Sequence, residues 1–260
     1  MEAKNKLDLK RLIEKSLSLI PEPVFKQIFE VKVMKNTLET LQDYIYVPSV
    51  KLWVAKEKSL FNLDWGKQQK QLKKQNLGML TPKQFLEFIK YLKTDYQEIN
   101  KQGAIKILDE ILKVRDPFRA ENLDAYFERR KNGLYILTEN KTKSELLDKS
   151  TLMKDKDPGI NLDSLLQLAN KQGLPTKRTK KGEFCYNHPI NYGVAGFYAC
   201  FARAILVCDR YHGYSDPALG VRAKKIPEFN YNNSDIKQIL NKYTQKLLGT
   251  ERVLLKELTK

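Results

Sequence analysis

The sequence predicts an α+β fold, because helical and strand patterns occupy separate stretches of one chain. Apolar residues follow helical spacing at 5–20, 85–92 and 105–112. Alternating or β-branched runs occur near 44–54 and again within 186–222. The length of 260 residues is enough to bury a substantial core. We therefore expect a helical extension over 1–44, a mixed domain over 45–225 and a basic helical tail over 226–260.

The first elements are predicted to be one helix and two strands. The helical spacing of 5–20 ends at Pro21, and proline stops a helix. Tyr44 to Val47 is a short run of aromatic and β-branched residues, which favours a strand. Leu52 and Val54 alternate with Lys51 and Trp53, which predicts a second strand beside it.

Two further helices and one strand follow. Thr81-Pro82 is typical of an N-cap followed by the first helical position. The predicted buried faces of the two helices are Phe85, Phe88, Ile89 and Leu92, then Ile105, Leu108, Ile111 and Leu112. Leu123, Tyr126 and Phe127 suggest a short amphipathic turn before a strand from Leu134 to Thr138. Residues 141–181 are polar and rich in turn signals, which favours loops.

The charge and motif content narrow the functional classes. The net charge is +16, carried by 37 Lys and 10 Arg that are scattered along the chain, which makes nucleic acid one possible partner. No run of about 18 apolar residues occurs and no apolar leader follows Met1, so we expect a cytoplasmic protein without a membrane partner. No phosphate-binding glycine loop, nucleophile elbow or zinc-protease motif is present. We expect binding rather than catalysis, and no cofactor.

The segment 186–222 differs in composition from the rest of the chain. Lys, Glu, Gln, Met and Trp together account for 73 of the 260 residues, yet none of them occurs in these 37 positions. About ten would be expected at the average frequency. Five of the 13 Tyr lie in this segment, together with three Arg. Tyr and Arg are the residues that most often dominate binding surfaces.

Alternation divides this segment into a predicted frame and a predicted surface. The small or apolar frame residues are Val194, Phe197, Ala199, Ala204, Leu206, Cys208, Leu219 and Val221. Outward residues can change without disturbing the packing of a strand. The candidate ligand-binding residues are Asn187, Asn191, Tyr192, Gly196, Tyr198, Cys200, Phe201, Arg203, Ile205, Val207, Asp209, Arg210, Tyr211, His212, Tyr214, Ser215 and Asp216.

The frame from Val194 to Arg222, closed by Leu219-Gly220-Val221-Arg222, resembles the variable proteins of diversity-generating retroelements, of archaeal or viral type. Scaffold segments at 123–127, 133–138 and 152–156 are similar to the same family. The resemblance covers about residues 45–225 and implies a C-type lectin fold close to that of formylglycine-generating enzymes. It also implies ligand binding by a diversified surface. Adenine-directed mutagenesis of AAY codons cannot produce Lys, Glu, Gln, Met or Trp, which agrees with the composition. The 38 residues after Arg222 depart from the family, whose variable segment usually ends the chain.

Three other interpretations use the same region. Cys185, His188, Cys208 and His212 have spacings that suit a zinc site. Cys200 is a conceivable nucleophile, because the related catalytic fold uses thiols. A basic flank could hold phosphates beside stacking tyrosines, and it comprises Lys177, Arg178, Lys180, Lys181, Lys224 and Lys225.

Overall fold

The computed structural model describes residues 43–114, 116–200 and 203–226. The predicted extension over 1–44, apart from its last two residues, lies outside these ranges, as does the tail after Ile226. The described chain has an α+β fold with two β-sheets. In chain order its strands and helices are β1 (Tyr44–Val47), β2 (Leu52–Ala55), α1 (Trp65–Lys74), β3 (Gly78–Met79), α2 (Pro82–Lys93), α3 (Asp95–Ile99), α4 (Lys101–Leu112), β4 (Arg119–Arg130), β5 (Gly133–Thr138), β6 (Lys143–Leu146), β7 (Lys156–Ile160), α5 (Leu162–Leu168), β8 (Phe184–Asn187), β9 (Gly193–Cys200), β10 (Arg203–Tyr211), β11 (Leu219–Val221) and β12 (Ala223–Lys225).

The larger sheet brings the unusual segment into the centre of the fold. Its strand order is β6-β5-β4-β9-β10-β8-β7, and β11 pairs with β4 in parallel. Strands β9 and β10 form an antiparallel pair between β4 and β8. The smaller sheet has the order β1-β2-β12-β3 and is antiparallel throughout. The chain passes directly from β11 in one sheet to β12 in the other.

Helix α2 begins where the sequence predicted, at Pro82 directly after the N-cap Thr81. Thr81 accepts a hydrogen bond from the Gln84 backbone N–H, and the Gln84 side chain accepts one from the Thr81 N–H, so the two residues form a capping box. All four residues predicted for its apolar face are buried. Phe85 reaches the large sheet, where its ring centroid lies 5.4 Å from that of Phe197. Through this contact α2 packs against the core-facing side of β9.

Three sequence predictions about elements were wrong. Residues 141–181 were expected to form loops, but they contain β6, β7 and α5, whose shortness hides them among the turn signals. Leu123, Tyr126 and Phe127 lie in the long strand β4 rather than in a turn. Both faces of β4 are covered, so polar Glu121, Asn122 and Asp124 are buried among apolar neighbours and conceal the strand pattern. Helix α4 buries Ala104, Ile107 and Ile111, and it leaves Ile105 exposed although that residue was predicted to face the core.

Strand β11 is followed by a buried arginine that connects the two sheets. The Arg222 Nε donates to Glu121 Oε2 on β4 at 3.2 Å, and both side chains are almost fully buried. Its Nη1 donates to the backbone carbonyls of Ala55 and Lys56, which lie at the end of β2 and just after it. Arg222 therefore links β4 of the larger sheet to the end of β2 in the smaller sheet.

No helix in the described ranges is long and apolar enough to cross a membrane.

Candidate functional site

The predicted frame is confirmed, because all eight of its residues are buried. On the face of β9 and β10 that packs against the helices, Phe197, Ala204, Leu206 and Cys208 belong to the main hydrophobic core. Cys208 is completely buried, which raises the pKa of its thiol well above the usual value. The thiol is therefore protonated and acts as a small apolar side chain.

The opposite face carries most of the candidate surface residues. Among them Tyr192, Arg203, Tyr211 and Ser215 are exposed. A larger group is partly exposed, and it comprises Asn187, Asn191, Ile205, Asp209, Arg210, His212, Tyr214 and Asp216. The pairing of β10 with both neighbours fixes the backbone of those candidates that lie on β10.

A β-bulge delivers Arg210 to this outer face. Strand β10 pairs Val207 with Gly196 but Arg210 with Val194, so its register shifts between the two residues. Regular alternation would place Arg210 on the opposite face from Val207. The bulge reverses the alternation, and the Arg210 guanidinium lies beside Tyr198, which packs in one cluster with Val207.

The Arg210 guanidinium lies close to two tyrosine rings. Its Cζ is 4.6 Å from the ring centroid of Tyr198 and 4.4 Å from that of Tyr214. The Tyr214 hydroxyl donates to Asp216 Oδ2 at 3.2 Å, while Asp216 Oδ1 accepts the Ala218 N–H at 2.7 Å. We call Tyr198, Arg210 and Tyr214 the arginine–tyrosine cluster. Both guanidinium–ring distances are within the range of cation–π interactions.

Three of the predicted surface residues are buried instead. Tyr198 is 2% exposed and Val207 is 4% exposed. They pack with Ala120 and Leu219 under the partly buried Phe118, Ile205 and Tyr214. Gly196 is also buried. The returning chain after β10 and the strand β11 cover this part of the sheet, which strand alternation alone could not indicate.

A second group of aromatic residues lies at the other end of the β9–β10 pair. Tyr211 pairs with Gly193, which directly follows Tyr192, so two exposed tyrosines occur at one end of the sheet. The ring centroid of His212 lies 4.8 Å from that of Tyr211 and 6.0 Å from that of Tyr126. Lys141 Nζ lies 3.4 Å from the centroid of the Tyr126 ring. Burial lowers the pKa of Lys141, whereas Glu128 opposes that shift.

The remaining candidate residues do not all join these two groups. The Asn187 amide lies 3.3 Å from Asp209 Oδ1, and Asn191 accepts the Arg129 backbone N–H, so Asn191 fixes a turn. Arg203 begins β10 at the end opposite Tyr211, and its guanidinium contacts Cys185 Sγ at 3.5 Å. The side chain of Cys200 and all of Phe201 lie outside the described residues.

The zinc interpretation is wrong for the four residues that suggested it. His188 Nδ1 lies 2.7 Å from Asp155 Oδ1, and the same oxygen accepts the His188 backbone N–H. Hydrogen bonds from His188 outweigh the small effect of burial and lower the pKa of Asp155. Across residues 43–114, 116–200 and 203–226, no three His, Cys, Asp or Glu side chains cluster as metal ligands would. Cys185, Cys208 and His212 therefore do not complete a site with His188.

Sequence reasoning missed three residues at the border of the candidate surface. Phe118 stacks on Tyr198 with a centroid distance of 6.4 Å, while Tyr126 and Lys141 contact the second aromatic group. Each lies far from the unusual segment in sequence. Only the pairing of β4 with β9 brings Phe118 and Tyr126 to the surface formed by that segment.

The basic flank is only partly exposed. Lys177, Arg178, Lys180 and Lys181 lie at the surface in the connection between α5 and β8. Lys224 was expected beside them, but it is buried and donates to Gln84 Oε1 at 2.8 Å. Burial lowers the pKa of Lys224, and the nearby Asp124 opposes that shift.

The chain matches no protein-family model, no curated protein and no solved structure at a significant level.

Proposed function

We propose that this chain is a binding protein with a C-type lectin-like domain, and that its ligand site is the outer face of β9, β10 and the 211–216 turn. The observation that carries the proposal is the contrast within β10. Ala204, Leu206 and Cys208 are buried, whereas Arg203, Ile205 and Arg210 reach the other face. A single strand thus combines buried packing positions with outward positions that a ligand could contact.

The same contrast supports retroelement diversification as the origin of the surface. The depletion of five amino acids covers both faces of the segment, yet the requirement for burial applies only to the frame. A fixed binding surface would have no reason to exclude Lys, Glu and Gln from exposed positions. An AAY-based mutational process excludes them regardless of position, which the resemblance to variable proteins implies.

Population sequencing tests this origin directly. We expect deep sequencing of the gene across many host cells to show substitutions at exposed and partly exposed positions of 187–216. Phe197, Leu206 and the Leu219–Arg222 strand should remain constant, and no substitution should introduce Lys, Glu, Gln, Met or Trp. An invariant segment, or changes spread evenly over frame and surface, would overturn the diversification.

A matched pair of displayed libraries tests the separation of frame and surface. One library randomises Arg203, Ile205, Asp209, Arg210, Tyr211, Tyr214 and Ser215, and the other randomises Phe197, Ala199, Ala204, Leu206, Cys208, Leu219 and Val221. We expect most members of the first library to resist proteolysis and most members of the second to be cleaved. Equal cleavage of both libraries would show that the outer residues are part of the core.

A second candidate function rests on helix α1. Lys67, Lys70, Lys73 and Lys74 are exposed along this helix. Only Lys67 has an ion pair among the described residues, with Asp64 at 2.9 Å. Such a ridge is suited to a phosphate backbone. Binding of an oligo(dT) that weakens steeply with salt, and that is lost on changing the last three lysines to Glu, would favour a nucleic-acid partner. Binding unaffected by this change would exclude the ridge.

A further inference from the structure

The Arg210 guanidinium is a partly exposed charged group on the proposed surface. It lies within cation–π distance of the Tyr198 and Tyr214 rings. Within the part of the chain that the structure describes, no carboxylate forms an ion pair with Arg210. The two nearest acidic residues in sequence are engaged elsewhere, because Asp209 interacts with Asn187 and Asp216 binds Tyr214 and the Ala218 N–H. Its planar donors are thus held in one orientation without an anion.

The Tyr198 hydroxyl lies beside the guanidinium and is itself buried. Burial raises the pKa of Tyr198 to about 12, and the charge of Arg210 and a hydrogen bond with its side chain oppose that shift. The buried hydroxyl therefore contacts the guanidinium and not a ligand. Arg210 is partly exposed, so its other donors can reach an acceptor group of a ligand.

The surroundings distinguish an acidic side chain from a polyphosphate. Ile205 and Phe118 are partly exposed beside Tyr198 and provide apolar contact area. In β10 and the turn that follows it, Arg203 and Arg210 are balanced by Asp209 and Asp216, whereas a phosphate backbone requires a net positive groove. A single carboxylate within an apolar protein surface fits both observations. The exposed lysines lie instead on α1 and in the 177–181 connection.

We propose that Arg210 binds an Asp or Glu carboxylate of a protein ligand, and this inference rests on the proposed binding function. The carboxylate accepts two hydrogen bonds from the guanidinium edge, and neighbouring apolar residues of the ligand contact Ile205 and Phe118. Tyr214 acts as a positioning residue, held by Asp216, that keeps the guanidinium plane fixed.

A phage-displayed library of random dodecapeptides, selected on the immobilised full chain, tests the inference. Parallel selections use Arg210→Gln, Arg210→Glu and the control Lys70→Gln, which removes an exposed cation of α1. We expect Asp and Glu enrichment on the wild-type and Lys70→Gln chains, loss of that enrichment on Arg210→Gln, and enrichment of Lys and Arg on Arg210→Glu. Thermal melts verify that each variant is folded.

A double-mutant cycle on the best peptide then isolates the contact. Changing the acidic peptide residue to its amide, or Arg210 to Gln, should each raise the Kd by roughly tenfold to a hundredfold, as expected for a charged hydrogen bond. Both changes together should cost little more than either one. Additive effects would overturn the inference, as would an oligo(dT) that displaces the peptide and binds through Arg210.

The outcomes distinguish a failure of the carboxylate site from a failure of the proposed binding function. Peptides that bind the outer face but show no acidic preference would overturn the carboxylate site and leave the binding function standing. If no peptide enriched on the wild-type chain depends on residues of the outer face, both proposals fail.

Discussion

Replacement of Arg222 by Met should strongly destabilise the protein. The change leaves the Glu121 carboxylate buried without its partner at 3.2 Å, and it also removes the donor for the Ala55 and Lys56 carbonyls. Breaking a buried ion pair on one side typically costs about 3–5 kcal/mol. Lys58, whose ammonium is buried near Glu121, provides only partial compensation because Glu110 and the Ala120 carbonyl already engage it. We therefore expect a loss of about 3–5 kcal/mol in unfolding free energy.

Urea unfolding followed by tryptophan fluorescence measures this loss, since Trp65 is buried and reports on the folded state. Arg210→Met is the matched control, because Arg210 lies on the same sheet and contacts two aromatic rings without a carboxylate partner. Its cation–π contacts predict a cost of only about 1 kcal/mol. The double change Glu121→Met with Arg222→Met should recover much of the single-variant loss, because an apolar pair leaves no buried charge. A cost for Arg222→Met no larger than that for Arg210→Met would refute the bridging role.

Three further predictions follow from the site and its frame. Phe197→Ala should cost about 3–5 kcal/mol in urea unfolding, since the ring is buried between Phe85 and Phe184, and a loss below about 1 kcal/mol would contradict the frame. Tyr198→Phe should leave stability unchanged or slightly higher at neutral pH. Above about pH 10 the unfolded tyrosine ionises while the buried one, with its pKa of about 12, stays neutral, so wild-type stability should fall more steeply than that of the variant. Parallel slopes in pH-dependent unfolding would contradict the burial of this hydroxyl. Gly173→Ala should lower the melting temperature markedly, because φ is +81° and an added Cβ would lie 2.2 Å from the Lys83 backbone nitrogen. In the control Gly66→Ala, within α1, the nearest atom is 3.5 Å away and the melting temperature should be unchanged or higher.

Elements with strong local signals were predictable from the sequence. The strand Tyr44–Val47 and the start of α2 at Pro82 agree with the sequence predictions, because aromatic and β-branched residues and the Thr81 capping box act within a few residues. Much of the frame of β9 and β10 was predictable for the same reason, since Phe197, Ala204, Leu206 and Cys208 all pack into one core. Local sequence patterns were therefore sufficient to predict an element wherever only one of its faces is buried.

Burial by residues that are distant in the sequence explains which features the sequence could not predict. Strand β4 is buried on both faces, so its paired polar residues hide the alternation that identifies a strand. Tyr198 and Val207 have the chemistry and spacing of outward residues, but Leu219 and Phe118 cover them. Both cases depend on partners that lie many residues away. A prediction from residue spacing therefore overestimates the exposed surface.

The bulge in β10 is a departure from regular strand alternation, and it places Arg210 in the candidate site. Without the register shift between Val207 and Arg210, alternation would direct Arg210 towards the apolar core that contains Cys208. A charged guanidinium there would lack a partner, so the extra residue both avoids that cost and brings the side chain beside Tyr198. The arginine–tyrosine cluster therefore depends on backbone geometry that any outward residue at this position would share. Under the proposed binding function, variation at position 210 would change the ligand chemistry while leaving the direction of the side chain unchanged.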